Sequence, residues 1–431
     1  MRYIYMHNFR GFDETLVPLM TTNFLVGENS TGKSSFLSLL RVMSDPAFQF
    51  YARFPLPDEL ELGGFHDIVS AWSAEKNSFR VGHVDVTRKD DGRHSLEFAV
   101  HTFVDGGGTP RLSRYSQLRR GVVSTLLFDR KRTRYRTEES LLTFGDEESA
   151  CKEFCAMVQS ECTATAGFKS FPRDVPPDPP LPIALSIMQS LSKTGRWKSA
   201  GMDAEILALN AVTWIAPIRT KPMRIYDSMR RGYSPEGEHA PVLLRRTLSS
   251  RTRSQAVADR LKEFGQASGL FETVTTHSFG NGSQNPFEIL VKFEGAELNI
   301  SNVGYGVSQV LPLIVEFLTS SSGEVFAVQQ PEVHLHPRAQ AALGDLLFEL
   351  AKDGENSIYV ETHSDYLIDR YRLAMRDDKN PPDSQVVFFK RTCNGNVAVS
   401  LEIGSDGQYP GNQPTEFRDF FVREEIKLLD V

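Results

Sequence analysis

"FLVGENSTGKSSFLSLLRVM", residues 24–43, decides the fold. Gly27-Glu28-Asn29-Ser30-Thr31-Gly32-Lys33-Ser34 matches the pattern G-x-x-x-x-G-K-[ST]. The apolar run Phe24-Leu25-Val26 before it reads as a buried strand. Ser34 to Met43 after it reads as a helix with Phe36, Leu37 and Leu40 on one face. The chemistry needs this order. Glycines let the backbone turn so that amide N–H groups face phosphate oxygens, and the helix N-terminus adds positive potential. Lys33 is placed to reach the β- and γ-phosphates, and Ser34 to offer its hydroxyl to magnesium. Gly27 through Ser35 are therefore the candidate nucleotide-binding residues: Gly27, Glu28, Asn29, Ser30, Thr31, Gly32, Lys33, Ser34 and Ser35.

A second stretch, "VFAVQQPEVHLHP" at 325–337, stands where such a protein carries its acids. Val325 to Val328 reads as a buried strand, Pro331 turns the chain, and Pro337 suits the first turn of a helix. Proteins that hydrolyse a nucleotide on a phosphate loop usually end this strand in an acid for magnesium, with a second group to orient water. Here the strand ends in Gln329 and Gln330. A glutamine amide orients a water or ligates weakly through its carbonyl, but it adds no negative charge. Glu332 is the first carboxylate available; the alternative is that it merely caps the following turn. His334 and His336, with Leu335 between them, face opposite ways if the stretch is extended, so they do not form a metal pair.

The 431 residues suffice for two or three domains, or for one large domain with insertions. The formal charge of −7 gives no whole-chain nucleic-acid signal, so any such surface is a local patch. No apolar run approaches the roughly 20 residues that span a membrane. "MRYIYMHNFRGF" has no apolar signal core, so a cytoplasmic protein is expected. Cys151, Cys155, Cys162 and Cys393 make no CxxC pair and read as reduced thiols. Three segments are expected: 1–105, strand-rich, with the phosphate loop; 106–210, an insertion opened by the turn or linker "DGGGTP", with a basic stretch, a helix around Glu147 to Cys162 and the proline-rich "FPRDVPPDPPLP"; and 211–431, with a helical piece near Arg253 to Phe264, alternating helix and strand from 301, and a helical tail around Glu416 to Leu429. Heptads are not sustained, so no long coiled-coil arm is expected.

Four ordered motifs resemble an ABC-type ATPase of the OLD-like and SMC-like branch, a group found in many bacterial anti-phage systems. They are "NFRGF" at 8–12, "SNVGYGVSQVLPLI" at 301–314, "PEVHLHP" at 331–337 and "ETHSDYLIDR" at 361–370. The resemblance implies an α/β head, a mixed sheet with flanking helices, carrying an inserted, partly helical region that the motifs do not cover. It implies ATP and Mg2+ as cofactors. Gly304-Tyr305-Gly306-Val307-Ser308-Gln309 takes the place of the transporter LSGGQ. Gly304, Gly306 and Ser308 would then contact the γ-phosphate bound by a second subunit, so that two ATP molecules are sandwiched in a homodimer. His363 takes the switch position and hydrogen-bonds the γ-phosphate. "GGFHDIVSAW" at 63–72 lies where the branch has a loop linking nucleotide to the rest of the head. Gln329 departs from the branch, which usually has an acid there. Magnesium would rest on Ser34 and a weak Gln329 contact, Glu332 with Gln330 and His363 would be the catalytic group, and hydrolysis would be slow.

Two basic groups remain. Arg130, Lys131, Arg132, Arg134 and Arg136 form a stripe in which Arg132, Arg134 and Arg136 share one face of a strand. Arg219, Lys221, Arg224, Arg230 and Arg231 form the second. Either tracks a DNA or RNA backbone or docks a protein partner. The expected function is an ATP-driven dimer controlling a separate effector, a nuclease or toxin, in anti-phage defence; Septu-, PARIS- and retron-associated ATPases all fit. The alternatives are a DNA-repair or DNA-binding ATPase of the SMC or RecF kind and a stand-alone OLD-like nuclease. Against the last, only about seventy residues follow His363, with no Glu…Asp-x-Asp cluster among them.

Overall fold

The computed structural model describes residues 1–54, 62–129, 131–192, 210–227, 232–250, 254–280, 282, 284–354 and 356–420. The chain forms two compact units. One comprises Met1–Met20, Glu28–Ala211 and Phe389–Ser400; the other comprises Thr21–Gly27, Val212–Phe388 and Leu401–Val431.

The first unit is built on an antiparallel sheet. Its strands, numbered along the chain, are β1 (Arg2–His7), β2 (Thr15–Leu19), β4 (Ser78–Arg88), β5 (His94–Asp105), β6 (Pro110–Arg119), β7 (Val122–Phe128), β8 (Thr133–Glu139) and β9 (Lys169–Ser170), in the order β2-β1-β4-β5-β6-β7-β8-β9. Both faces are covered. Phe98 and Val100 of β5 meet Phe154 and Val158 of the helix Glu147–Thr163. Ala99 on the opposite face packs with Tyr115, Leu126 and Tyr135 against Ala184 and Met188 of the helix Leu181–Leu191. The first helix starts where the Asp146 side chain accepts from the Ser149 amide, and the second has proline in its first turn, where no amide proton is needed.

The expected boundary at 105/106 is not a boundary. "DGGGTP" is a hairpin turn inside the sheet: Asp105 Oδ1 caps the Gly107 and Gly108 amides, and β5 pairs with β6 from Phe98↔Leu118 to Asp105↔Pro110. The strands β6 to β9 therefore extend the sheet begun by β1, β4 and β5: β6 is laddered to β5, and each later strand to the one before it.

In the second unit, β10 (Val212–Ile215), β14 (Val325–Gln329), β15 (Ser357–Glu361) and β3 (Thr22–Gly27) run parallel in that order, with β16 (Ser384–Thr392) next to β3. All six residues of β3 are buried, the continuous pattern expected of a strand covered on both faces. A small antiparallel sheet of β11 (Thr273–Ser278), β12 (Phe287–Phe293) and β13 (Ala296–Asn299) lies apart. The helical piece expected near Arg253 to Phe264 is the helix Ser254–Ser268, with Arg253 outside the described residues, and a further helix, Ala240–Leu248, precedes it. The expected tail helix is seen to residue 420, and Leu429 lies outside the described residues.

Candidate functional site

The phosphate loop begins where β3 ends, at Gly27, whose φ of 146° suits glycine. Gly32 caps the helix Lys33–Ser44 at φ 103° and brings no side chain of its own to the first turn. A Cβ on Gly32 would meet the Phe12 ring at 2.3 Å. This gives "NFRGF" a physical role: its last aromatic packs against the loop, and Phe389 takes Phe12 edge-on and Phe36 at a tilt. Glu28, Asn29, Ser30 and Ser34 are exposed, Ser35 is half-buried, and Thr31 and Lys33 are buried. Lys33 Nζ and Thr31 Oγ1 both donate to the Glu28 carbonyl at 2.8 Å, which folds the loop tightly on itself. Sequence reasoning missed Arg391. Its guanidinium donates to the Ser30 carbonyl and lies 5.4 Å from the Trp72 ring, so it ties "GGFHDIVSAW" to the phosphate loop.

The other half of the machinery sits at the ends of β14 and β15. Gln329 pairs in register with Glu361, and Gln329 Nε2 donates to Glu361 Oε2 at 3.1 Å. A carboxylate only accepts, so this bond turns the amide nitrogen toward Glu361 and leaves the carbonyl oxygen for another partner. Gln330 takes φ 43° and its amide bonds the Glu361 carbonyl at 2.7 Å. Glu361 is buried and was missed, because it lies 32 residues along the chain and only the strand pairing brings it beside Gln329. Glu332 Oε1 accepts from the His363 amide at 2.7 Å, while Oε2 is buried with no hydrogen-bond partner. Burial pushes the Glu332 carboxyl above its ordinary value, against the opposing pull of the His363 amide, the Thr362 hydroxyl and the Arg219 charge. The His363 ring is exposed and stacks 6.4 Å from Phe420. Residues 331–334 form a turn rather than an extended stretch, and His334, at φ 67°, lies beside Tyr305.

The signature segment differs from expectation in one respect. Its helix runs Tyr305–Thr319 with Gly304 as N-cap. Ser308, expected at the helix start, lies a turn inside; it is buried, and its hydroxyl donates to the Tyr305 carbonyl at 3.0 Å. In this conformation Ser308 is turned inward, so it does not offer its hydroxyl outward. Gly304 and Tyr305 are exposed and Gly306 is half-buried, close under the His334 carbonyl. Ser301, in the 3-10 turn Ile300–Asn302 just ahead of the helix, is the serine nearer its mouth.

A profile of the AAA ATPase domain family matches residues 1–95 and 244–368, just over half of the chain, and takes in the phosphate loop, the signature segment, the end of β14 and His363. The chain belongs to the AAA ATPase domain family. Family membership makes it an ATPase that uses ATP with magnesium. The Gln329 carbonyl and the Glu361 carboxylate, side by side at the ends of β14 and β15, are hard oxygen donors of the kind magnesium takes. The match leaves residues 96–243 uncovered, and this mixed α/β phosphate-loop fold carries an inserted region. No curated protein matches the sequence. Among solved structures, the chain is similar to the SmcHead bound to the C-winged helix domain of ScpA (TM-score 0.46, 11% identity, 93% of this chain and 98% of that chain covered). It is also similar to an Smc head domain with an extended coiled coil bound to the C-terminal domain of ScpA, derived from Pyrococcus furiosus (0.40, 10%, 100% and 99%). A third is the SMC head domain from Thermotoga maritima (0.38, 12%, 94% and 100%). No helix among the described residues of this family member is long and apolar enough to cross a membrane.

Both basic groups need correction. Arg136 is ion-paired with buried Glu161 and lies over Phe168, so it supports the fold. Arg134 is half-buried, Lys131 and Arg132 are exposed at the β7–β8 hairpin, and Arg130 lies outside the described residues. Arg219 is buried. Lys221 and Arg224 are exposed, and Arg230 and Arg231 lie outside the described residues.

Proposed function

We propose that this ATPase is a slow ATP switch. The observation that carries the reading is the end of β14: two neutral glutamines stand at the strand end, and Glu332 follows with one oxygen fixed by the His363 amide and the other unbonded. Glu332 Oε2 takes a proton from the attacking water, and burial makes the carboxylate a stronger base than an exposed one. Lys33 and the amides at the start of the helix Lys33–Ser44 hold the phosphates. Gln330 helps orient the water, and the His363 ring reads the γ-phosphate. Bound magnesium neutralises phosphate charge; Ser34 and Gln329 would hold it, with Glu361 supplying the carboxylate that the end of β14 lacks. One carboxylate set back from the strand end gives weaker charge compensation than an acid at position 329, so turnover stays at or below ~1 s⁻¹, the low end for enzymes.

The reading extends to assembly. ATP favours a homodimer in which the exposed Gly304–Gly306 turn of one subunit meets the nucleotide of the other, so that the γ-phosphate controls association. By the resemblance to the OLD-like and SMC-like branch, that switch controls a separate effector, a nuclease or toxin, in anti-phage defence. The test pairs steady-state ATP turnover with particle mass under ATP, ADP and no nucleotide. Slow turnover lost in Glu332→Gln, with a dimer favoured by ATP, is expected. Fast turnover indifferent to Glu332, or a chain monomeric at high concentration with ATP and magnesium, defeats the reading.

A further inference from the structure

Arg219 follows β10 in a loop whose Lys221 and Arg224 are exposed, yet Arg219 itself is only 3% exposed. Its backbone is clamped to the signature helix through one glutamine. The Arg219 amide donates to Gln309 Oε1 at 3.2 Å, and Gln309 Nε2 donates back to the Arg219 carbonyl at 3.3 Å. The guanidinium Nη1 adds a third bond, to the Gln309 carbonyl at 3.3 Å. Nε and Nη2 are buried with no hydrogen-bond partner. A buried guanidinium with donors left unmade is costly, and natural folds seldom keep one without a use for it.

The nearby opposite charge is Glu332. Each group shifts the other's protonation: Glu332 supports the Arg219 charge against burial, which lowers Arg219 to about 10, and Arg219 supports the Glu332 carboxylate. Arg219 thus stays protonated at neutral pH. Yet no hydrogen bond joins the pair, since Glu332 Oε2 and two guanidinium nitrogens are all unbonded. The attraction is therefore a through-space one between incompletely satisfied groups. The other groups around Glu332 are the His363 amide, the Thr362 hydroxyl and, on the same turn as that amide, the exposed His363 imidazole.

We propose that Arg219 is a positioning residue for Glu332, linking the signature helix to the carboxylate that activates water. The proposal rests on Glu332 being that base. Gln309 fixes Arg219 to the helix, so a shift of the helix when nucleotide is engaged moves the cation that orients and ionises Glu332. This makes hydrolysis responsive to the state of the signature segment, with no contact between Arg219 and the nucleotide required.

The experiment measures ATP turnover against pH for the full chain, Arg219→Met, Arg219→Lys and Glu332→Gln, with ATP affinity and melting temperature as controls. In Arg219→Met, kcat is expected to fall about tenfold or more, within the range of a positioned acid–base group. Its acid limb should move up by about one pH unit, because the carboxylate loses its cation. ATP affinity should stay within about twofold, since phosphate contacts are untouched. Arg219→Lys should return the limb toward wild type. A folded Arg219→Met with unchanged kcat and limb overturns the proposal, as does a folded Arg219→Lys whose limb moves as far as that of Arg219→Met. If Arg219→Met does not fold, Arg219→Lys is read alone: a limb near wild type supports the link, and one displaced by a unit overturns it. Glu332→Gln separates the two levels. If it keeps wild-type turnover, the base reading falls and this proposal with it; if it is inactive while Arg219→Met is unaltered, only the proposal falls.

Discussion

β3 and β14 lie one strand apart in the same parallel sheet, and both end in turns of unusual backbone geometry, but they reach it by different means. At the end of β3 the special angles fall on Gly27, Ser30 and Gly32, and the loop's internal bonds run from Thr31 and Lys33 to Glu28. Those angles and bonds all fall within eight residues, and Phe12 against Gly32 and Arg391 on the Ser30 carbonyl brace the loop from outside. At the end of β14 the positive φ falls on Gln330, which has no glycine's freedom, and it is held by the Glu361 carbonyl of the neighbouring strand. Even the charge near that turn comes from elsewhere: Glu361 is bonded to Gln329 across the ladder, and Arg219 acts on Glu332 from beyond β10. A turn built locally binds by its own sequence. A turn built by its neighbours takes its chemistry from them, and mutations in those neighbours should change it.

The sharpest way to break the contrast is at Glu332. Glu332→Gln removes the base, and turnover should fall ~10²–10⁴-fold, the usual contribution of a positioned acid or base. The loss should appear in kcat with ATP affinity retained, read by single-turnover and calorimetric measurements. The same residue sets the pH dependence. Its folded-state value is raised, so the active carboxylate form is lost as pH falls through a point above the ordinary glutamate value of about 4.3. The acid limb of kcat should therefore lie above that value, and a limb at or below it would show that another group is the base.

Lys33→Ala tests the locally built turn. It removes a charge-assisted phosphate contact worth ~1.5–3 kcal/mol, and ATP affinity measured by calorimetry should weaken accordingly. Equal affinity in variant and wild type would mean that the phosphates bind elsewhere.

Gln329→Glu sharpens the comparison from the other side. With magnesium saturating, the added acid should raise turnover several-fold, and Glu361→Gln should lower it, on the scale of ~1 kcal/mol for one partly solvated charge interaction. Without magnesium, Gln329→Glu sets two carboxylates side by side where an amide now donates to one of them. Its melting temperature should then depend on magnesium far more than wild type's does. A melting temperature indifferent to magnesium would show that position 329 does not meet the cation.

The smallest effect is expected at the hairpin. Charge reversal at Arg132 and Arg134 should weaken docking of an effector or nucleic acid, and the loss should fade as salt rises, because exposed charges are screened over ~8–10 Å. Co-purification at two salt concentrations reads this. ATP turnover should be unchanged.

Much of the fold was legible in advance. The loop pattern, the apolar strand before it and the amphipathic helix after it fixed the phosphate-loop architecture, because their chemistry depends on neighbours in sequence. The helix after Pro337 and the strand ending at Glu361 were readable for the same reason. The boundary at 105/106 was misread: a glycine-rich turn looks alike in a linker and in a hairpin, and only ladder bonds from Phe98↔Leu118 onward tell them apart. Arg136 and Arg219 looked like surface charge because a run of basic residues carries no mark of burial; Glu161 and Gln309, which hold them, lie 25 and 90 residues away. Ser308 looked like a cap because the helix start was set too late, at Val310 rather than Tyr305.

The sequence by itself determined that this chain holds a nucleotide by its phosphates and lacks an acid at positions 329 and 330. Those are properties of contiguous residues. Only the tertiary structure decided which carboxylate stands beside Gln329, which arginines are buried and which Glu332 oxygen is left without a hydrogen-bond partner. Charge and hydrogen bonding work through space, and strand pairing sets Glu361 beside Gln329 while burial sets Arg219 near Glu332.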